Sequence, residues 1–117
     1  MRRMATRELP VRQRGVCCDV PVPADEGWAA ETSELLKALA DPTRLTMVAS
    51  LTQAADAVCI CDFTAAFGLS QPTISHHMAK LRVAGLVESQ RRGVWVYYRL
   101  RSDIPPVARR LLESLLA

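Results

Sequence analysis

Residues 68–85 read Gly-Leu-Ser-Gln-Pro-Thr-Ile-Ser-His-His-Met-Ala-Lys-Leu-Arg-Val-Ala-Gly, and this stretch decides the expected fold. Ser70 is a favourable N-cap, and Pro72 lies in the first turn, where a missing backbone N–H costs nothing. Gly85 suits the left-handed position that ends a helix. A helix from Ser70 to Gly85, joined through Gly68-Leu69 to a short helix over 62–67, predicts a helix-turn-helix.

The two sides of this helix differ in chemistry. Ile74, Met78 and Leu81 recur at helical spacing and are expected to face the core. The opposite arc is short and polar with one cation, so the helix can approach base edges in a major groove. The residues expected to read bases are Gln71, Thr73, Ser75 and His76. His77 lies at the flank and is expected to be a hydrogen-bonded edge histidine; an ordinary amphipathic surface helix is the alternative interpretation.

A β-hairpin is expected directly after this helix. Residues 86–90 and 94–100 are rich in β-forming residues and flank Arg91-Arg92-Gly93, which predicts a hairpin with a basic tip. Arg91 and Arg92 are expected to contact phosphate or the minor groove, and Lys80 and Arg82 to contact phosphate from the helix end. The aromatic residues of the second strand are expected to form wing core rather than a stacking platform: Trp95, Tyr97 and Tyr98.

Helices on either side complete the expected fold class: mainly α with a β-hairpin wing, a winged helix-turn-helix that forms a homodimer. A first helix is predicted up to Ala40, a second from Pro42, and an extended or turn segment over Val58–Cys61. A last helix over about 104–116 carries a wide apolar stripe. That stripe predicts a dimer formed by the terminal helices, together with Trp28 and Leu35. A helix folded back on its own core is the alternative.

Composition limits the class of protein. The chain has 117 residues, half of them apolar and only six aromatic, which favours one helical domain. Residues 1–24 hold several prolines without apolar periodicity and predict a flexible, cysteine-containing arm before a domain over 25–117. No run is long and apolar enough for a membrane span, and no secretory signal is evident, so the expected location is cytoplasmic.

Charge is unevenly distributed. Residues 1–14 carry five Arg and one Glu, residues 15–79 carry eight acidic residues against two basic ones, and residues 80–117 carry eight basic residues against three acidic ones. A polyanion such as double-stranded DNA is therefore expected to meet the last segment rather than the middle one.

The four cysteines form two tight pairs, Cys17-Cys18 in the arm and Cys59/Cys61 ahead of the short helix. In a reducing compartment such thiols indicate soft-metal ligands or redox groups rather than structural disulfides. Structural zinc is a weaker interpretation because the usual CxxC spacing is absent, and a reversible disulfide between the pairs is a real competitor. The sequence has no CxxC, no nucleophile with a positioned base and no phosphate loop, so we do not expect an enzyme.

These residues also resemble a known family. Residues 36–45 (LKALADPTRL), Cys59 to Asp62, Leu69 to His77 and Ala84-Gly85-Leu86 with the hairpin are similar to the ArsR/SmtB family of metal-responsive repressors, over residues 30–117. The resemblance implies a winged-helix homodimer that binds operator DNA in its metal-free form. It also implies that the DNA is released when an inducer binds.

Departures from the family pattern indicate the inducer. Arsenite sensors of the family often carry CxCxxC, but the third position here is Thr64; some related sensors instead carry a vicinal Cys-Cys in the arm. The resemblance thus implies As(III), or Sb(III), bound by Cys17, Cys18, Cys59 and Cys61. Cd(II) or Pb(II) sensors use similar cysteines and are the alternative. Residues 101–117 contain no His, so the zinc and nickel site of the terminal helix is absent.

Overall fold

The chain folds into five helices and three strands in a computed structural model that describes residues 8–17, 20–22 and 26–116. The bounds in chain order are α1 Glu26–Leu39, α2 Pro42–Gln53, β1 Val58–Cys59, α3 Ile60–Phe67, α4 Gln71–Val83, β2 Val87–Arg92, β3 Trp95–Leu100 and α5 Pro106–Leu116. This architecture confirms the predicted winged helix-turn-helix. Residues 8–17 and 20–22 are exposed and carry no helix or strand.

The ends of the central helices follow from the residues that cap them. Asp41 caps α2 by accepting the Arg44 N–H at 2.9 Å, and Pro42 occupies the first turn. Gly68 ends α3 at a φ of +64°, and Ser70 then caps α4 by accepting the Thr73 N–H at 3.4 Å. The predicted end of the first helix at Gly68 and the predicted start of the second at Ser70 are confirmed.

The short helix α3 begins two residues earlier than predicted. Ile60 and Phe63 are 4% and 2% exposed, so an apolar pair at helical spacing already faces the core. Cys61 therefore lies in the first helical turn, and the expectation that residues 58–61 form one extended or turn segment is wrong for its second half. Val58 and Cys59 do form a strand, which pairs with Tyr98 and Tyr97 of β3.

The wing is an antiparallel sheet of order β1-β3-β2. Arg91 and Arg92 belong to strand β2, paired with Val96 and Trp95, so the expectation that they form the tip is wrong. The turn is Gly93-Val94, because Gly93 at a φ of +61° takes the first position of a two-residue connection.

The core lies between α4, the helices that support it and the base of the wing. Ile74, Met78 and Leu81 are at most 1% exposed, as predicted, and pack in one cluster with Phe63 and Leu86. This burial sets the rotation of α4 about its axis, so the polar arc faces outward.

The terminal helix divides its apolar stripe between two surfaces. Ala108 and Leu112 are buried in the chain's own core, whereas Val107 and Leu115 are 40% and 53% exposed. On α1, Leu35 is buried at 7%, so its predicted role at a dimer surface is wrong. Among the described residues no helix is both long and apolar enough to cross a bilayer.

Candidate nucleic-acid interface and thiol site

Helix α4 brings the predicted base-reading residues onto one exposed arc. The five polar side chains on it are exposed and lie away from the buried face: Gln71, Thr73, Ser75, His76 and Lys80. The Thr73 hydroxyl lies 2.9 Å from the Ser70 hydroxyl, so the start of the arc is held by the helix cap. The arrangement offers hydrogen-bond donors and acceptors at the N-terminal end of a helix, which is how such helices read a major groove.

His77 lies at the flank of α4, as predicted. Its side chain is 16% exposed, and its Nδ1 atom lies 3.5 Å from Arg44 Nη1 and 4.0 Å from Asp41 Oδ2. The Arg44 N–H, followed by the charges of Arg44 and His77, lowers the pKa of Asp41 below its ordinary value of 3.8. This network joins the α1–α2 junction to the recognition helix.

Sequence reasoning missed the role of Arg44. Its Nε donates to the Ala38 carbonyl at 2.7 Å, and its Nη2 donates to the Lys37 carbonyl at 3.3 Å. Both carbonyls lie in the last turn of α1. The available signal was the run Asp41-Pro42-Thr43-Arg44, which we interpreted only as a helix boundary.

The wing presents further basic side chains beside α4. Arg91 and Arg92 are exposed along β2, and Arg82 is exposed with its Nη1 atom 3.5 Å from Ser89 Oγ. Arg82 therefore also links the end of α4 to the wing. Arg99 is paired with Glu88 at 2.5 Å.

The aromatic residues of β3 differ in burial. Tyr98 is buried at 7% and Tyr97 is half-buried, as expected for wing core, but Trp95 is 51% exposed beside the turn.

Cys59 and Cys61 form a close thiol pair, with their Sγ atoms 3.0 Å apart. Cys59 is buried at the end of β1, and Cys61 is exposed in the first turn of α3. The hydrogen bond with Cys59 raises the pKa of Cys61 above its ordinary value of 9.0, and residual burial and the charges of Cys59 and Asp62 act in the same direction. A soft ion that binds here must displace protons.

Of the two cysteines in the arm, Cys17 and Cys18, the structure describes one. Cys17 is exposed, and Cys18 lies outside the described residues. Within the part of the chain that the structure describes, no three His, Cys, Asp or Glu side chains form a group that could hold a metal ion.

Comparison with known proteins agrees with this geometry. Residues 41–89 match the family model described as "bacterial regulatory protein, arsR family". The chain is 42% identical over 81 residues to the arsenical resistance operon repressor of Escherichia coli K12, covering 69% of this chain and 68% of that one. It is 41% identical over 81 residues to the arsenic resistance transcriptional regulator ArsR1 of Pseudomonas putida, covering 69% of this chain and 62% of the length of that relative.

A solved structure shows the same fold. The homodimeric winged helix-turn-helix DNA-binding domain of Mb0332 from Mycobacterium bovis superposes with a TM-score of 0.63 at 27% identity, covering 76% of this chain and 78% of that one. Sequence, fold and relatives agree: the chain belongs to the ArsR family of bacterial transcriptional regulators, which are DNA-binding repressors and not enzymes.

Proposed function

We propose that this repressor binds operator DNA as a homodimer and releases it when As(III), or Sb(III), binds cysteine thiolates. The observation that carries the proposal is the thiol pair Cys59/Cys61, whose sulfurs lie 3.0 Å apart at the start of α3. Two of the relatives are named for arsenic resistance, which supports a metalloid inducer.

The ligand set extends beyond the pair. Trivalent arsenic takes three thiolates in a pyramid, and soft thiolate ligands select such ions over hard cations. Cys59 and Cys61 supply two sulfurs, and we assign the third to Cys17 or Cys18 of the arm, from the same protomer or from its partner. An arm of about twenty residues is long enough for either route.

Helix α3 carries the signal to DNA. Cys61 lies two residues before Phe63, which is 2% exposed and packs in the same core cluster as Ile74 and Met78 of α4. A bond at Cys61 therefore biases the position of α4, and with it the spacing of the two recognition helices of the dimer. Specific binding needs that spacing to match half-sites about 34 Å apart.

The proposed DNA contacts divide by element. The exposed residues of α4 read bases in the major groove (Gln71, Thr73, Ser75 and His76), and the basic residues of α4 and the wing contact the DNA backbone (Lys80, Arg82, Arg91 and Arg92).

For the dimer, the exposed Val107 and Leu115 of α5 offer an apolar surface, and the M. bovis domain is homodimeric. We assign the dimer contact to the terminal helices.

Fluorescence anisotropy tests the proposal with a duplex that the protein enriches from a randomised pool. We expect arsenite to weaken binding of the wild-type protein by about 5- to 150-fold, the usual range of allosteric coupling. The double variant Cys59→Ser/Cys61→Ser should bind the duplex normally and ignore arsenite. Release of DNA from this variant by arsenite would reject the site.

A second variant tests the arm, and the metal is tested separately. If Cys17→Ser/Cys18→Ser leaves the arsenic-bound sulfur count unchanged in X-ray absorption, the arm is not a ligand source. X-ray absorption spectra of the Cd(II) and Pb(II) forms, which take up to four sulfurs, give their sulfur counts. Affinities measured in parallel show whether one of these ions, rather than arsenite, is the inducer.

A redox switch predicts instead a disulfide between the arm and the Cys59/Cys61 pair after mild peroxide, which mass spectrometry of the peptides detects.

A further inference from the structure

A groove runs between α1 and the outer face of the C-terminal half of α4. Its volume is about 510 Å³, and its polar lining consists of Glu34, Lys37, Arg44, His76 and Lys80. Val83 also lines it and is 88% exposed, so the groove is an open channel on the surface. Its wall is thus basic, with one carboxylate.

Two of these cations come from an acidic part of the chain. Between residues 15 and 79 there are eight acidic residues, and the two basic residues are Lys37 and Arg44. The fold places both in this groove, beside Lys80 of the recognition helix. The expectation that a polyanion would meet the last segment rather than the middle one therefore leaves out two cations of the middle segment that folding brings to the same surface.

Of the two, Lys37 is placed to bind a ligand. Arg44 already donates to the carbonyls of Ala38 and Lys37 at 2.7 and 3.3 Å. Lys37 Nζ instead lies 3.3 Å from Glu34 Oε1, and both side chains are more than 70% exposed. Such a solvated ion pair is weak, so the ammonium group can exchange the carboxylate for a phosphate at little cost.

We infer that Lys37, together with Lys80, binds a backbone phosphate of the DNA strand that passes over the C-terminal half of α4. We assign the groove to DNA rather than to a small anion, because His76 belongs both to the base-reading arc and to the groove wall. The groove is therefore continuous with the DNA-reading surface. This inference rests on the proposed operator binding and extends that interface to helix α1.

The salt dependence of binding tests this contact, using the duplex enriched from a randomised pool. Each phosphate contact contributes about 0.9 to the slope of log K against log salt, so Lys37→Gln should flatten the slope by about 1.8 for a dimer. The ratio of the wild-type to the variant association constant for the duplex should then be about tenfold larger at 50 mM than at 200 mM salt. Lys37→Arg should keep the wild-type slope, and Glu34→Gln should tighten binding, because it removes a carboxylate beside the phosphate.

Arg99→Gln is the matched control, since it removes one exposed charge from β3, away from the groove and outside the proposed DNA contacts. It should keep the wild-type slope. A wild-type slope in Lys37→Gln, or a lowered affinity with an unchanged slope, would overturn the inference alone. Failure of the wild-type protein to enrich or bind any duplex would overturn the proposed function as well. Circular dichroism of each variant confirms that the fold is retained.

Discussion

Replacing Arg44 by methionine removes the guanidinium group that joins α1, α2 and α4 and keeps an unbranched apolar stem. Arg44 Nε donates to the Ala38 carbonyl at 2.7 Å and Nη2 to the Lys37 carbonyl at 3.3 Å. Both carbonyls are among the last four of α1, which have no helical N–H partner four residues ahead. The cation also faces the negative end of the helix dipole.

The expected loss follows from these contacts. A hydrogen bond to a charged group contributes about 1.5–3 kcal/mol, and the longer second contact adds less. Because Arg44 is only half-buried, water replaces part of the lost interaction. We therefore expect Arg44→Met to lower the free energy of unfolding by about 2 kcal/mol.

Urea denaturation followed by circular dichroism measures this change. The midpoint should fall with an unchanged m-value, since unfolding exposes about the same surface area in the variant as in the wild type. Thermal unfolding should show a Tm lower by roughly 8–16 °C for a domain of this size. Arg44→Lys is the matched control: it keeps the charge but not the fork of donors, and it should lose less than Arg44→Met. A change below about 0.5 kcal/mol in Arg44→Met, the range of ordinary surface substitutions, would refute the reasoning.

Three further predictions concern the caps and the thiols. The folded-state pKa of Asp41 lies below 3.8, so its carboxylate stabilises the protein above that pH, and the contribution disappears as the pH falls through the folded-state value. The stability difference between wild type and Asp41→Asn, which keeps a capping oxygen, should therefore shrink between about pH 5 and pH 2 in urea titrations, and a constant difference would contradict this. Alkylation of Cys61 by iodoacetamide, followed by peptide mass spectrometry, should have its midpoint above pH 9.0, and Cys59→Ala should lower that midpoint. Gly68→Ala should destabilise the fold by about 1 kcal/mol because the residue has a positive φ, and Gly68→Asn should cost less; equal losses would mean that backbone strain is not the cause.

Local chemistry was enough to predict the helix-turn-helix. Ser70, Pro72 and Gly68 act within one or two turns of their own positions, and the spacing of Ile74, Met78 and Leu81 sets the buried face of α4. Each of these effects depends on neighbours three or four residues away in sequence. The outward position of the residues that we propose to read DNA followed from the same periodicity.

Where elements meet, local chemistry was not enough. The start of α3 at Ile60 depends on a core that Ile60 and Phe63 share with distant residues, and the position of the wing turn depends on which residues of β2 and β3 pair. The pKa of Cys61 depends on a sulfur that only the folded chain holds 3.0 Å away. Sequence spacing allowed that proximity without requiring it.

The amino-acid sequence by itself determined the helix Ser70 to Gly85, its buried and exposed sides, and the two cysteine pairs. Only the tertiary structure decided that Arg44 joins the end of α1 to His77, and that Lys37 lies in the same groove as Lys80. The physical reason is the distance along the chain over which each effect acts. Caps and apolar periodicity act between neighbours along the chain, whereas a side chain contacts a residue more than thirty positions away only after the core has packed.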